Sequence, residues 1–174
     1  MALDHTVLSE LSRESERIEE DAVFSGKGHY NTVGPWRWVH RILGLAAAVG
    51  STLAAVAVLK QWCPDVAVVA SAVSALAAVV LTILKPSEEA DRHQRAGDRY
   101  LATKNRARIF RNIELRSPDA TDAKAQDSIR ALSSTLDDIR SGAPPIPHWA
   151  YEKAKRDVEV NKTAEYRVDR TPQP

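Results

Sequence analysis

Residues 42–84 read ILGLAAAVGSTLAAVAVLKQWCPDVAVVASAVSALAAVVLTIL. They carry only two charged side chains, Lys60 and Asp65, both in the short stretch that interrupts an otherwise apolar run. Ile42–Leu59 is 18 residues without a charge and Val66–Leu84 is 19. As helices rising 1.5 Å per residue, they reach roughly 27–28 Å, about the thickness of a bilayer's hydrocarbon core. Both runs are rich in alanine, so insertion is adequate without excess. The eight strongly apolar residues of the first run contribute roughly −2 to −5 kcal/mol.

The competing reading is a pair of buried helices in a soluble bundle. Three features oppose it. Neither run has a polar face, and the rest of the chain is too charged to wrap two helices that are apolar all round. Tryptophans stand at the boundaries, Trp36 and Trp38 before the first run and Trp62 after it, where indole rings favour the headgroup level. The flanking charge is one-sided: Arg37, Arg41, Lys85, Arg92, Arg95 and Arg99 lie outside the runs, whereas the connection balances Lys60 with Asp65. The expected fold is an all-α membrane protein, a two-helix transmembrane hairpin with flanking cytoplasmic helices. The positive-inside rule puts both termini in the cytoplasm and loop 60–65 outside. Residues 1–41 form an N-terminal helix and lead-in segment, 42–84 the hairpin, and 85–174 a C-terminal helical region.

Whole-chain averages hide this segregation. The 174 residues carry a formal charge of +1. By segment the charge is −4 for 1–34, +3 for 35–85, +3 for 86–116 and −1 for 117–174. The single cysteine, Cys63, excludes an internal disulfide. The acidic N-terminus does not read as a signal peptide.

Small residues recur four apart in the spans, which lets helix backbones approach in lipid. The rows are Gly44 with Ala48, Ala47 with Ser51, and Gly50 with Ala54. In the second span they are Ala67–Ser71–Ala75 and Ala70–Ser74–Ala78. More rows exist than one hairpin contact requires, which points to a homo-oligomer; alanine abundance is the competing explanation. Ser71, Ser74 and Thr82 share one side of the second helix and are candidates to line a wet path, unless their hydroxyls bond back to the preceding turn. No ionisable residue lies at membrane depth. The interface anchors are Trp36, Arg37, Trp38, Arg41, Trp62 and Lys85.

In the soluble part, Asp4 is expected to cap a helix ending near Asp21. Ser87 is expected to cap a basic helix with Ala90, Gly97, Tyr100, Leu101 and Phe110 as its inner face. Ala125, Ile129, Leu132, Leu136 and Ile139 repeat at steps of four and three, a seam for a partner helix. Gly142 and Pro144–Pro145 end it, a helix from Trp149 to about Val160 follows, and the tail RVDRTPQP reads as loose. The five histidines show no metal spacing, and SGKGHYN is not a phosphate loop. No catalytic pairing, cofactor or nucleic-acid partner is expected, and the chain does not read as an enzyme.

The stretch SGKGHYNTVGPWRWVHRILGL resembles the segment before the first span of the SLATT family, two-transmembrane effector domains associated with SMODS nucleotidyltransferases and SLOG sensor domains. Gly28, His29, Tyr30, Asn31, Trp36, Arg37, His40 and Gly44 occupy the pattern's positions. After the second span, YLATKNRARIFRNIEL is also similar, through Tyr100, Leu101, Arg106, Arg108 and Phe110, and the C-terminal PPIPHWAYEKAKRDVEVNKTAEYRVD is similar to one subgroup's tail. The resemblance covers roughly 5–169. It implies a bacterial conflict or antiphage effector that oligomerises and permeabilises the inner membrane when a nucleotide signal is made or sensed by a partner, a synthase or sensor protein. No appended sensor domain is expected, so the trigger binds the helical part or comes from that partner. The alternative is a non-conducting membrane-tethered scaffold that docks a cytoplasmic partner through its C-terminal helices.

Overall fold

The computed structural model describes residues 5–61 and 63–161. Every regular element among them is helical: α1 (His5–Leu59), α2 (Pro64–Leu84), α3 (Pro86–Asn112), a short 3₁₀ turn (Glu114–Arg116), α4 (Asp122–Gly142) and α5 (His148–Glu159). Two of the helices are long and apolar enough to cross a membrane. The chain divides into two compact units. One comprises the chain up to Thr32 and from Arg92 onward; the other is Val33–Asp91.

The largest departure from the sequence reading is α1. The expected helix ended near Asp21, because SGKGHYNTVGP combines glycines with a proline. Instead α1 continues through the whole stretch, with Pro35 inside it. A mid-helix glycine costs about 1 kcal/mol relative to alanine, but here the missing side chains make room for neighbours. A Cβ at Gly26 would stand 3.2 Å from Tyr100 Cβ, and one at Gly28 would stand 3.0 Å from Ile146 Cγ2. Close packing outweighs local propensity. Asp4, the expected cap, and the tail RVDRTPQP lie outside the described residues.

In the first unit, one core joins Leu11, Ile18 and Ala22 of α1 with Tyr100, Ala107 and Phe110 of α3, Leu115 of the 3₁₀ turn, and the apolar stripe of α4. Ser15 is fully buried and donates to the Ala107 carbonyl at 2.8 Å, which lets α1 and α3 approach with the hydroxyl satisfied. Arg111 reaches Glu19 at 3.0 Å and Glu16 at 3.4 Å. The α4 stripe predicted as a seam for a partner is buried here: Ile129, Leu132, Leu136 and Ile139 are between 1% and 9% exposed. Their partners are the chain's own helices, so the seam is not free for another protein. Thr121 caps α4 by accepting from the Lys124 amide at 3.4 Å. α5 buries Ala150 and Ala154 completely.

In the second unit, the apolar end of α1 and α2 pack side by side. Lys85 ends α2 in a left-handed conformation, φ 42° and ψ 52°, with its amide bonded to the Leu81 carbonyl. A glycine more often takes that conformation. Pro86 starts α3 at once, where its missing N–H costs nothing, so Ser87 lies inside the helix rather than capping it. On α3, Ala90, Tyr100 and Phe110 are buried as expected, but Leu101 is 44% exposed and Ala96 and Ala107 are buried instead.

Candidate functional site

Two places carry the chemistry of this chain, one in each unit. In the second unit it is the contact between the apolar segments. Gly50 is buried, and a Cβ there would fall 2.8 Å from the Ala70 carbonyl oxygen and 3.0 Å from Ser74 Cβ. Ser74 Oγ donates to the Ala47 carbonyl at 2.7 Å, a bond between the two helices. Ala57 and Ala77 are the other buried positions, 2% and 5% exposed. The contact is therefore built from Gly50, Ala57, Ala70, Ser74 and Ala77. Ala57 and Ala77 were missed in the sequence reading because no small residue stands four positions from either: Ala57 comes seven after Gly50, and Ala77 three after Ser74.

Ala47, which is half-buried, joins this contact through its carbonyl, and the remaining small residues differ in their surroundings. Gly44 has nothing within 4 Å of the space a Cβ would fill, and Ala54 and Ala67 are half-buried. Ser51, Ser71 and Ala78 are exposed. Of the candidate wet-path hydroxyls, Ser71 bonds to the Ala67 carbonyl at 2.6 Å and Thr82 to the Ala78 carbonyl at 2.9 Å, each within its own turn. Only Ser74 of the three reaches across. Ser51 and Thr52 likewise bond to the Ala48 carbonyl. Around this seam the large apolar side chains point outward, among them Leu45 (60% exposed), Val58 (67%), Val68 (68%), Leu76 (65%) and Ile83 (73%). An open groove of about 530 Å³ is lined by residues of both helices, among them Ala46, Val49, Gly50, Leu53, Val69 and Ala70. Of the anchors, Trp36 is half-buried, Arg37, Trp38 and Arg41 are exposed, and Lys85 pairs with Glu88 at 3.1 Å. Trp62 lies outside the described residues.

In the first unit, the consecutive residues Gly28, His29, Tyr30 and Asn31 each meet a different partner. Gly28 faces Ile146. His29 Nδ1 lies 2.9 Å from His93 Nδ1, and its ring stacks on Tyr100 at 5.5 Å between centroids. Tyr30 donates to Asp98 Oδ1 at 2.6 Å while its ring lies against Gly97. Asn31 Nδ2 donates to the Ala150 carbonyl at 3.2 Å. Four successive residues cover most of a helix's circumference, so α1 is surrounded here by α3, α5 and the segment between α4 and α5. The sequence resemblance had singled out these four residues, and the structure makes them a packing knot.

The knot also shifts titrations. Burial first, then the charge of His93, pushes His29 down to about 4. Burial, followed by the hydrogen bond and the charge of Asp98, raises Tyr30 to about 12. Burial raises Tyr100 against the opposing pull of Arg140. Burial lowers Lys27, with Asp157 opposing and Lys104 assisting. Among the described residues no three His, Cys, Asp or Glu side chains gather as a metal site would need. No protein-family model, curated protein or solved structure matches the chain.

Proposed function

We propose that this chain is a SLATT-type membrane effector. Residues 42–59 and 66–84 form a transmembrane hairpin, loop 60–65 faces outward, and the helical regions at both ends lie in the cytoplasm. Copies of the hairpin assemble in a bacterial inner membrane into a pore. The pore opens in a conflict or antiphage response when a nucleotide signal reaches the helical unit directly or through a synthase or sensor partner. No catalytic step and no cofactor belong to this reading.

The observation that carries it is the surface of the apolar unit. Only 11% and 6% of the most apolar 18-residue windows are buried within the chain, so the chain by itself does not enclose these helices in a core. Their outward side chains need lipid or another apolar helix, because exposing each buriable aliphatic side chain to water costs about 1.5–3 kcal/mol. One row of small residues closes the hairpin, while Gly44, Ser51 and Ser71 remain available to a second copy. The scaffold alternative loses the α4 stripe as a docking surface, since that stripe is already filled from within.

The test is leakage. Purified protein reconstituted in liposomes loaded with a self-quenching dye is expected to release it when activated, and Gly50→Leu is expected to abolish release. Intact vesicles under every activating condition, from a chain shown to be inserted and oligomeric, would leave a non-conducting tether as the function.

A further inference from the structure

The pore reading leaves unused a pair of titratable side chains buried face to face, His29 on α1 and His93 on α3. Their Nδ1 atoms are 2.9 Å apart and the residues are 1% and 3% exposed. At that distance one nitrogen donates and the other accepts, so the contact is a hydrogen bond only while a single proton lies between the two atoms. A proton on each removes the acceptor and sets like charges against each other where water does not reach. We propose that His29 and His93 form an acid-sensitive latch, which ties α1 to α3 while one of the facing Nδ1 atoms is unprotonated and releases them when both carry a proton.

The ionisable groups on the elements that meet here include Asp21, Lys27 and Tyr30 on α1, and Glu89, Arg92, Asp98, Tyr100 and Lys104 on α3. On α4 there is Arg140, and on α5 His148 and Asp157. The linker from Ala143 to Pro147 contributes none. Three of the carboxylates act on other groups: Asp98 accepts from Tyr30 and Gln94, Asp21 pairs with Arg140 at 2.6 Å, and Asp157 acts on Lys27. The charge that bears on His29 is that of His93. The backbone beside His29 is closely packed: a Cβ at Gly28 would come within 3.0 Å of Ile146, and one at Gly97 within 3.0 Å of the Tyr30 ring. Close-packed interiors pass such strain on instead of absorbing it. The latch rests on the helical unit alone and stands or falls separately from the pore.

The experiment uses the full chain in lipid nanodiscs and two hydrogen-exchange readouts. Amide exchange, corrected for its intrinsic pH dependence, follows protection of residues 24–33 and 92–104. Wild type is expected to lose at least about ten-fold protection there as the pH falls from about 7 to about 4.5, while the α4 core loses less. The double substitution His29→Gln and His93→Gln keeps a carboxamide pair that takes up no proton, and it is expected to hold its protection across the same range. Imidazole C2-hydrogen exchange in wild type reads the titration of His29 directly, whether or not the double variant folds. Protection that persists in wild type at the acid end, an equal loss in the double variant, or His29 titrating as a free imidazole would each overturn the latch.

Discussion

Ser74 Oγ stands 2.7 Å from the carbonyl oxygen of Ala47, and that bond crosses between the two apolar segments instead of closing on its own helix. Ser71, three residues earlier, bonds to Ala67 in its own turn. The two serines are chemically alike and differ only in what they hold. Ser74→Ala is expected to weaken the hairpin by about 0.6 kcal/mol, the typical worth of an interhelical hydrogen bond in a membrane. Ser71→Ala is expected to have no measurable effect. Gly50→Leu should cost more than either, because even its Cβ meets the Ala70 carbonyl at 2.8 Å. Reversible unfolding in bicelles measures all three, and equal losses for Ser71→Ala and Ser74→Ala would show that the crossing bond contributes nothing.

The α4 stripe has a different fate from the one its spacing suggests. Leu136 is 4% exposed in a core that includes Phe110 and Tyr100. Leu136→Ala is expected to destabilise the helical unit by about 2–5 kcal/mol, the range for a large core side chain cut to alanine. Leu132→Glu with Leu136→Glu is expected to abolish cooperative thermal unfolding followed by circular dichroism. A double variant that folded normally would restore the seam as a surface for another protein.

The two long apolar helices and the C-terminal helices were legible because their patterns are local. Charge-free runs of 18 and 19 residues, a four-three stripe ending at Gly142, and Pro86 after Lys85 all state their meaning within a few turns. What was not legible depends on contacts between distant segments. The glycines at 26 and 28 read as breakers until Tyr100 and Ile146 are found in the space they leave. The seam of α4 looked free because nothing in its own sequence tells whether Leu11 and Phe110 or another chain fills it. His29 and His93, 64 residues apart, share no spacing motif; only the packing of α3 on α1 brings them together.

Two glycines distinguish packing from backbone freedom. A Cβ at Gly97 would lie 3.0 Å from the ring of Tyr30, which Asp98 holds in place, whereas Gly142 has open space around it and no left-handed conformation. Gly97→Ala is expected to destabilise the helical unit by about 1–3 kcal/mol, the usual range for overpacking. Gly142→Ala is expected to stabilise it by about 0.4–1 kcal/mol through the unfolded chain. Thermal melts of the two variants should move in opposite directions, and a common direction would contradict the contact at Gly97.

Tyr30 sets an alkaline limit. Its phenol, raised to about 12 by burial and Asp98, keeps its proton in the folded state after an unfolded chain has lost it. Between the ordinary tyrosine value near 10 and about 12 the unfolded state binds fewer protons, so stability falls as pH rises. Tyr30→Phe is expected to flatten that decline while lowering stability at neutral pH by about 0.5–1.5 kcal/mol, the net worth of the lost hydrogen bond. Ultraviolet titration of tyrosinate should lose a late-ionising group in the variant. If the late group persisted after Tyr30→Phe, the raised ionisation would belong to Tyr100.

Topology is tested with the residue the chain supplies for it. Cys63 is the single cysteine and is exposed in the connection between the apolar segments. On the proposed topology, a membrane-impermeant maleimide is expected to label Cys63 in intact cells as fully as after lysis, and Cys63→Ser is expected to remove the signal. A cysteine placed at exposed Ser133 of α4 in that background should react only after lysis. Because the two positions report from opposite ends of a span, the reciprocal pattern would mean an inverted hairpin. Labelling of both in intact cells, with a cytoplasmic marker protected, would mean that neither segment crosses, and the pore would fall with it.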